Sequence, residues 1–257
     1  MAARSTARRG TCANCGHPVA QAFCPSCGQR TDTQRIDGHY LWHELQHGLF
    51  HVDRGILFTL RELFTRPGHS IREFLDGKRV RHFKPLAFVV ITAGVYSFLS
   101  TWFTPSMLAG LPGGGRIPPQ ALAMLDFFNK HYALLELASL PLISGASWVY
   151  FRKAGRTYAE HLVANSFLAG QRYVVSVLQF PLLALFGIKG ALLAAPFLML
   201  SYAGLYTWGF MQLFQGKAGR FIFLRAVMAA GTGYMLVVIV GMAIAILWVT
   251  RASGGMP

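Results

Sequence analysis

Cysteine is absent after position 27, acidic side chains number only 10 against 24 Lys and Arg, and charged residues make up just 13% of the 257-residue chain. Each shortage excludes something. With all four cysteines in the first 27 residues, the rest of the chain has no disulfide or thiol chemistry. A charged fraction about half the roughly 25% of ordinary soluble domains excludes water as the main solvent. The opening residues, MAARSTARRGT, are basic and small and lead into cysteines rather than an apolar run. No signal peptide is therefore expected, and the N-terminus is expected to be retained.

What is abundant is apolar surface: 53% of residues are hydrophobic. They are segregated into windows approaching the roughly 20 residues that cross a bilayer core of about 30 Å. The pattern predicts an all-α polytopic membrane protein of about five transmembrane helices, with amphipathic juxtamembrane helices and a small N-terminal zinc ribbon. Spans are expected near residues 85–103, 132–151, 173–188, 191–214 and 226–250. Gln171 and Arg172 interrupt the third region, so residues before 173 are read as an interfacial or tilted helix. The last two spans contain no charged residue, and their glycines, such as Gly204 and Gly231, suit close helix packing. Ahead of the spans lie a basic tail (1–11), the ribbon (12–30), a polar linker (31–38) and amphipathic helices (39–84); residues 251–257 form a tail. In GILFTLRELF, Ile56, Leu57, Leu60, Leu63 and Phe64 share one helical face. Ser70 followed by Glu73 reads as a capping box opening a second helix that stops near Gly77.

The net charge of +14 suits either nucleic acid or anionic lipid. Thirteen basic residues precede Pro85, where a juxtamembrane segment meets headgroups, so the bilayer and its anionic headgroups are the expected partner and nucleic acid is disfavoured. Five spans place the termini on opposite sides. With the N-terminus cytoplasmic, Arg152, Lys153, Arg156, Lys217, Arg220 and Arg225 fall inside, and only Arg116, Lys130, Lys189 and Arg251 outside, as the positive-inside rule requires. The expected location is a bacterial inner (plasma) membrane, with the C-terminus periplasmic.

Chemistry concentrates in CANCGHPVAQAFCPSCG, where Cys12, Cys15, Cys24 and Cys27 form two C-x-x-C pairs. Two residues between cysteines let both thiolates reach one ion, and two such knuckles complete the tetrahedral shell of zinc. Gly16 and Gly28 follow the knuckles and suit tight turns. Disulfides are the competing reading, but a reducing cytoplasm disfavours them. One structural Zn²⁺ is the expected cofactor, and it supplies most of the folding energy of so short a segment.

His39, His43, His47 and His51 recur every four residues. Within them His43, Glu44 and His47 match H-E-x-x-H, in which two His hold zinc and the Glu acts as general base. The match defines an alternative metal site (His43, His47) with Glu44 as the alternative catalytic residue of a membrane zinc metallopeptidase. Its third ligand would have to be Glu62 or Glu73. Against it, the pattern is short and a His-rich helix produces it by accident. A zinc or pH sensor using the whole stripe is a further possibility. Glu136, Glu160, His161, Asn165, Arg172 and Gln179 lie in or near apolar stretches and raise a small-solute or lipid transporter as a third reading. Most sit near span ends; Arg172 lies deep only if one helix covers Glu160 to Gly187.

The ribbon with FCPSCGQ, followed by HVDRGILFTLRELFTRPGHSIREFLDGKRVRHFKPLAFVV, resembles the bacterial domain-of-unknown-function family number 3667 over about residues 12–100. EHLVANSF is similar to a weaker family element. The run Asp53, Gly55, Thr59, Leu63, Arg66, Pro67, Gly68, Gly77, Lys78, Arg79 and Pro85 carries the resemblance. It implies a membrane protein with an N-terminal zinc ribbon and no established activity. The architecture is also similar to Yip-type five-span proteins. The leading expectation is a non-enzymatic inner-membrane protein whose zinc ribbon and amphipathic collar bind a partner or organise the membrane at the cytoplasmic face, with a protein partner expected at the ribbon.

Overall fold

In a hydrocarbon environment a backbone must satisfy its own polar groups, and an unbroken apolar run does so as a helix. The structure, a computed structural model, describes residues 10–33, 35–41, 55–109, 124, 127 and 131–254. Two short strands, β1 (Gly10–Thr11) and β2 (Pro18–Val19), pair antiparallel in the ribbon. Seven α-helices of nine residues or more follow among the described residues: α1 (Gly55–Thr65), α2 (Pro67–Leu75), α3 (Pro85–Ala109), α4 (Tyr132–Phe151), α5 (Tyr158–Val177), α6 (Gln179–Leu213) and α7 (Ile222–Gly254). Five stretches are long and apolar enough to cross a membrane: Pro85–Phe103, Leu134–Ala154, Tyr158–Gly187, Leu192–Leu213 and Ile222–Ala245. The last two spans turn Leu192, Leu193, Phe197, Leu200, Met235 and Ile239 outward, as helices solvated by lipid do.

The third span differs from the expected 173–188. It begins at Tyr158, where Thr157 and Glu160 form a capping box, and runs through Leu178 to a break at Gly187 with φ +56°. The polar residues that read as an interruption do not end the helix, because each finds a partner inside the bundle. Gln171 donates to the Leu63 carbonyl at 2.8 Å, and Asn165 donates to Ser147 Oγ at 3.0 Å. Glu160, His161, Asn165 and Gln171 are all buried.

Before the first span, α1 and α2 form a collar packed against the bundle. The buried face of α1 centres on Thr59 and Leu63, whereas Leu57 and Phe64 point outward, so the expected five-residue apolar face is split between bundle and surroundings. Thr59 Oγ1 accepts a hydrogen bond from the Phe83 amide at 2.7 Å, which ties α1 to the entrance of the first span. The second helix starts three residues before the expected capping box. Pro67 lies in its first turn, and no side chain caps it. Pro suits that position, since its φ is preset and its missing N–H is not needed there. Ser70 instead contacts His82 Nε2 at 2.9 Å, while Glu73 pairs with Arg66 and Lys78 at 3.2 and 3.4 Å. The expected linker is also anchored: Ile36 is buried in the same apolar cluster as Phe74, Phe167 and Phe214.

His82 gives the collar a pH signature. Burial pushes its pKa below the ordinary histidine range; the Lys78 carbonyl it contacts at 2.9 Å and the Glu62 and Glu73 charges oppose this, and Arg66 adds to it. An unfolded histidine titrates near about pH 6.5. Below that pH the unfolded chain takes a proton that the folded collar resists, so stability falls as pH drops and is insensitive to this group above it. Thermal unfolding in detergent should show a lower midpoint at about pH 5.5 than at about pH 7.5, and His82→Asn should shrink the difference. An unchanged difference in the variant would remove His82 as its cause.

Candidate metal centre and its seat on the bundle

Each C-x-x-C lies at the tip of a short antiparallel pair. The first is flanked by β1 and β2, and the second by a bridge between Phe23 and Arg30. The Gly16 amide donates to the Cys12 carbonyl at 2.9 Å, and the Gly28 amide to the Cys24 carbonyl at 2.9 Å. Both glycines have φ +74°, a left-handed conformation that costs glycine little and other residues more. These two turns aim the four side chains at one point.

All four Sγ atoms lie within 4.8 Å of one another, with Cys12–Cys27 at 3.6 Å and Cys15–Cys24 at 3.5 Å. Tetrahedral coordination with metal–sulfur bonds of about 2.3 Å requires sulfur–sulfur edges of about 3.8 Å. The arrangement therefore fits a metal ion. Thiol electrostatics point the same way. The Gln29 amide, followed by Asn14, lowers the Cys27 thiol to about 6, so this group ionises readily. For Cys15 the His17 amide works in the same direction, but desolvation and the three neighbouring thiols outweigh it and raise the group to about 11. Cys15 thus resists ionisation beside its neighbours, and a bound cation would offset that cost.

The ribbon does not hang free. Gln29, 3% exposed, has its amide at the Cys27 sulfur, and its carbonyl accepts from the Cys24 amide at 2.8 Å. Its side chain reaches the turn before the first span, donating to the Gly77 carbonyl at 2.7 Å and accepting from the Arg79 and Val80 amides at 3.0 and 3.3 Å. One residue thus links the second knuckle to the bundle. Arg35 adds a fork, donating to both Glu160 carboxylate oxygens at 3.2 and 3.1 Å and to the Gly155 carbonyl at 2.9 Å. Arg156 also reaches Glu160, at 3.4 Å, and pairs with Asp76 at 2.7 Å. An open crevice of about 320 Å³ lies under this junction, bordered by Thr33, Arg35, Asp76, Arg79, Arg156 and Glu160.

Gln29→Ala removes three hydrogen bonds and leaves two amides and a carbonyl of the turn to find water. A loss of about 1–3 kcal/mol in ribbon docking is expected. Hydrogen exchange at Gly77–Val80 should rise while the metal content stays constant; unchanged exchange would count against the seat.

The structure brings Cys12, Cys15, Cys24 and Cys27 together. His43, Glu44 and His47, like His51, lie outside the described residues, and His39 is exposed. Glu160 serves as a cap and as the acceptor for Arg35 and Arg156. Gln29 and Arg35 escaped sequence reasoning, because a Gln after a knuckle and an Arg in a polar linker carry no pattern of their own.

The sequence profile of a family described as a protein of unknown function, DUF3667, matches residues 53–97. That stretch covers the collar and much of the first span. No curated protein and no solved structure matches the chain.

Proposed function

We propose that the four thiolates hold one structural Zn²⁺, and that the braced ribbon sits at the cytoplasmic face of a bacterial inner membrane as a docking module for a protein partner. The observation that carries the reading is the thiol cluster: four thiolates close a tetrahedral shell and leave no open position for substrate, which is the mark of a structural rather than a catalytic site. Gln29 and Arg35 fix the ribbon to the bundle, while Phe23 stays 56% exposed on it and is available to a partner. Exposed Arg152 and Lys153, in a short 3-10 turn after α4, and Lys217 and Arg220, between α6 and α7, lie at the ribbon end of the bundle, which favours that end facing the cytoplasm and contacting anionic headgroups.

A photocrosslinking residue at Phe23, introduced into the full chain in living cells, tests the docking role. One discrete protein adduct is expected, lost when Cys24 and Cys27 are both serine. No adduct, or an adduct indifferent to the cysteines, would refute it.

A further inference from the structure

Spans two and three bring a carboxylate and a guanidinium together inside the bundle. Arg172 Nη2 lies 2.6 Å from Glu136 Oε1, and Tyr173 donates its hydroxyl to Glu136 Oε2 at 2.6 Å. The guanidinium also faces the rings of Tyr173 and Tyr202, at 4.9 and 5.8 Å from their centroids. Depth follows from the neighbours. Tyr96, whose ring lies 5.6 Å from that of Tyr173, is near the middle of Pro85–Phe103, and Tyr202 is near the middle of Leu192–Leu213. Arg172 is therefore near the middle of Tyr158–Gly187, and Glu136 meets it from the third residue of Leu134–Ala154, at the end of that span away from the collar.

Stability does not account for it. An arginine at the centre of a membrane helix costs about 2.5–3.5 kcal/mol on insertion scales, and apolar residues often replace a buried ion pair without loss. Two further observations point to a ligand. The pair is not sealed, since the Arg172 side chain keeps 30% of its exposure and Glu136 keeps 10%. An aromatic ladder also leads away from it: Tyr96 packs on Phe180 at 5.4 Å, and Phe180 stacks on Phe103 at 5.1 Å, at the end of the first span away from the collar. Ser176 and Gln179 hold the hydroxyls of Tyr202 and Tyr96 at 2.6 and 3.0 Å, so the ladder has a polar edge.

We propose that Glu136 and Arg172 form a proton-gated binding site for a small organic anion with an apolar body. One proton from water forms an O–H bond on Glu136, and the Glu136–Arg172 ion pair opens. The ligand's carboxylate then takes the place of Glu136 on the guanidinium, while its body lies along Tyr96, Phe180 and Phe103. One proton and one anion enter together, so the net charge of the site is unchanged. Tyr96 of span one, Tyr173 of span three and Tyr202 of span four are the other titratable groups facing the pair among the described residues. This site is separate from the metal-braced ribbon, and its test does not depend on the ribbon's role.

Equilibrium binding of labelled benzoate to the full chain in detergent tests the site. Wild-type affinity should fall by up to about tenfold per pH unit as the pH is raised, the slope of one proton taken up per ligand. Glu136→Gln imitates the protonated carboxyl and should bind tightly at all pH values. The double variant E136Q/R172Q stays neutral, so it avoids the uncompensated charge that R172Q alone would leave, and it should bind at least roughly tenfold more weakly than E136Q, a loss of about 1.4 kcal/mol. Inorganic phosphate, which lacks the apolar body, should compete poorly. A structural ion pair predicts no benzoate binding in any variant, which would overturn the proposal. So would equal binding by the double variant and E136Q, pH dependence persisting in E136Q, or phosphate competing as well as unlabelled benzoate.

Discussion

Replacing Cys24 and Cys27 together by serine is expected to lower the zinc content of the purified protein from about one atom per chain to none and to unfold the ribbon. The reason is the size of the ribbon's own core. Its buried apolar cluster consists of Cys12, Val19 and Cys24, with Cys27 packed against it, so three of these four residues are thiols. Such a cluster cannot offset the entropy of ordering the segment, whereas zinc bound by a four-ligand finger contributes an apparent 10–16 kcal/mol or so near neutral pH. With the knuckle gone, Gln29 loses the turn that aims it, and trypsin should cut after Arg30 and Arg35 in the variant but not in the wild type. Metal analysis of His43→Ala/His47→Ala supplies the contrast, and its zinc should remain. Zinc kept by the cysteine variant and lost by the histidine variant would transfer the metal to the H-E-x-x-H and restore the peptidase reading.

Gly68→Val is expected to cost about 3 kcal/mol or more and to prevent recovery of folded protein in detergent. A Cβ at this position meets the Gly209 carbonyl oxygen, the Leu213 nitrogen and Gln212 Cβ, so two of the three obstacles are backbone of α6 and cannot swing aside. The contact is close because α2 closes the end of α6. Arg72 donates through Nε and Nη2 to the Leu213 carbonyl at 3.0 and 2.8 Å and through Nη2 to the Gln212 carbonyl, and the Gly68 amide donates to Gln212 Oε1 at 3.0 Å. These bonds satisfy carbonyls that the last turn of a helix leaves without an internal partner. Gly94 of the first span gives the control: a Cβ there meets nothing within 4 Å, so Gly94→Ala should be neutral or slightly stabilising. Equal unfolding midpoints for Gly68→Val and Gly94→Ala would refute the close approach.

The four-thiol cluster was legible because its determinants are local. A C-x-x-C knuckle needs only its two cysteines and the glycine after them, all within a few residues, so spacing alone implies convergence. The positions of the apolar spans were legible for a similar reason, since bilayer thickness sets a length that can be counted along the chain. The start of the third span was not, because Gln171 and Arg172 look like a polar interruption until the Leu63 carbonyl and the Glu136 carboxylate, from other helices, are seen to pair with them. The Ser70–Glu73 pattern misled in the opposite way. Both residues are satisfied by His82, Arg66 and Lys78, and Pro67 starts the helix without them.

By itself, then, the sequence determined the solvent, the approximate number of crossings and the four cysteines that converge, because these depend on composition and on spacings of a few residues. Only the tertiary structure decided that the ribbon is seated through Gln29 and Arg35, that α2 closes the end of α6 through Gly68 and Arg72, and that Glu136 meets Arg172 between two spans. Those pairings join residues 36 to 144 positions apart in the chain. No local pattern encodes such distances; they follow from which helix faces can be buried against each other while their polar side chains meet partners on neighbouring elements.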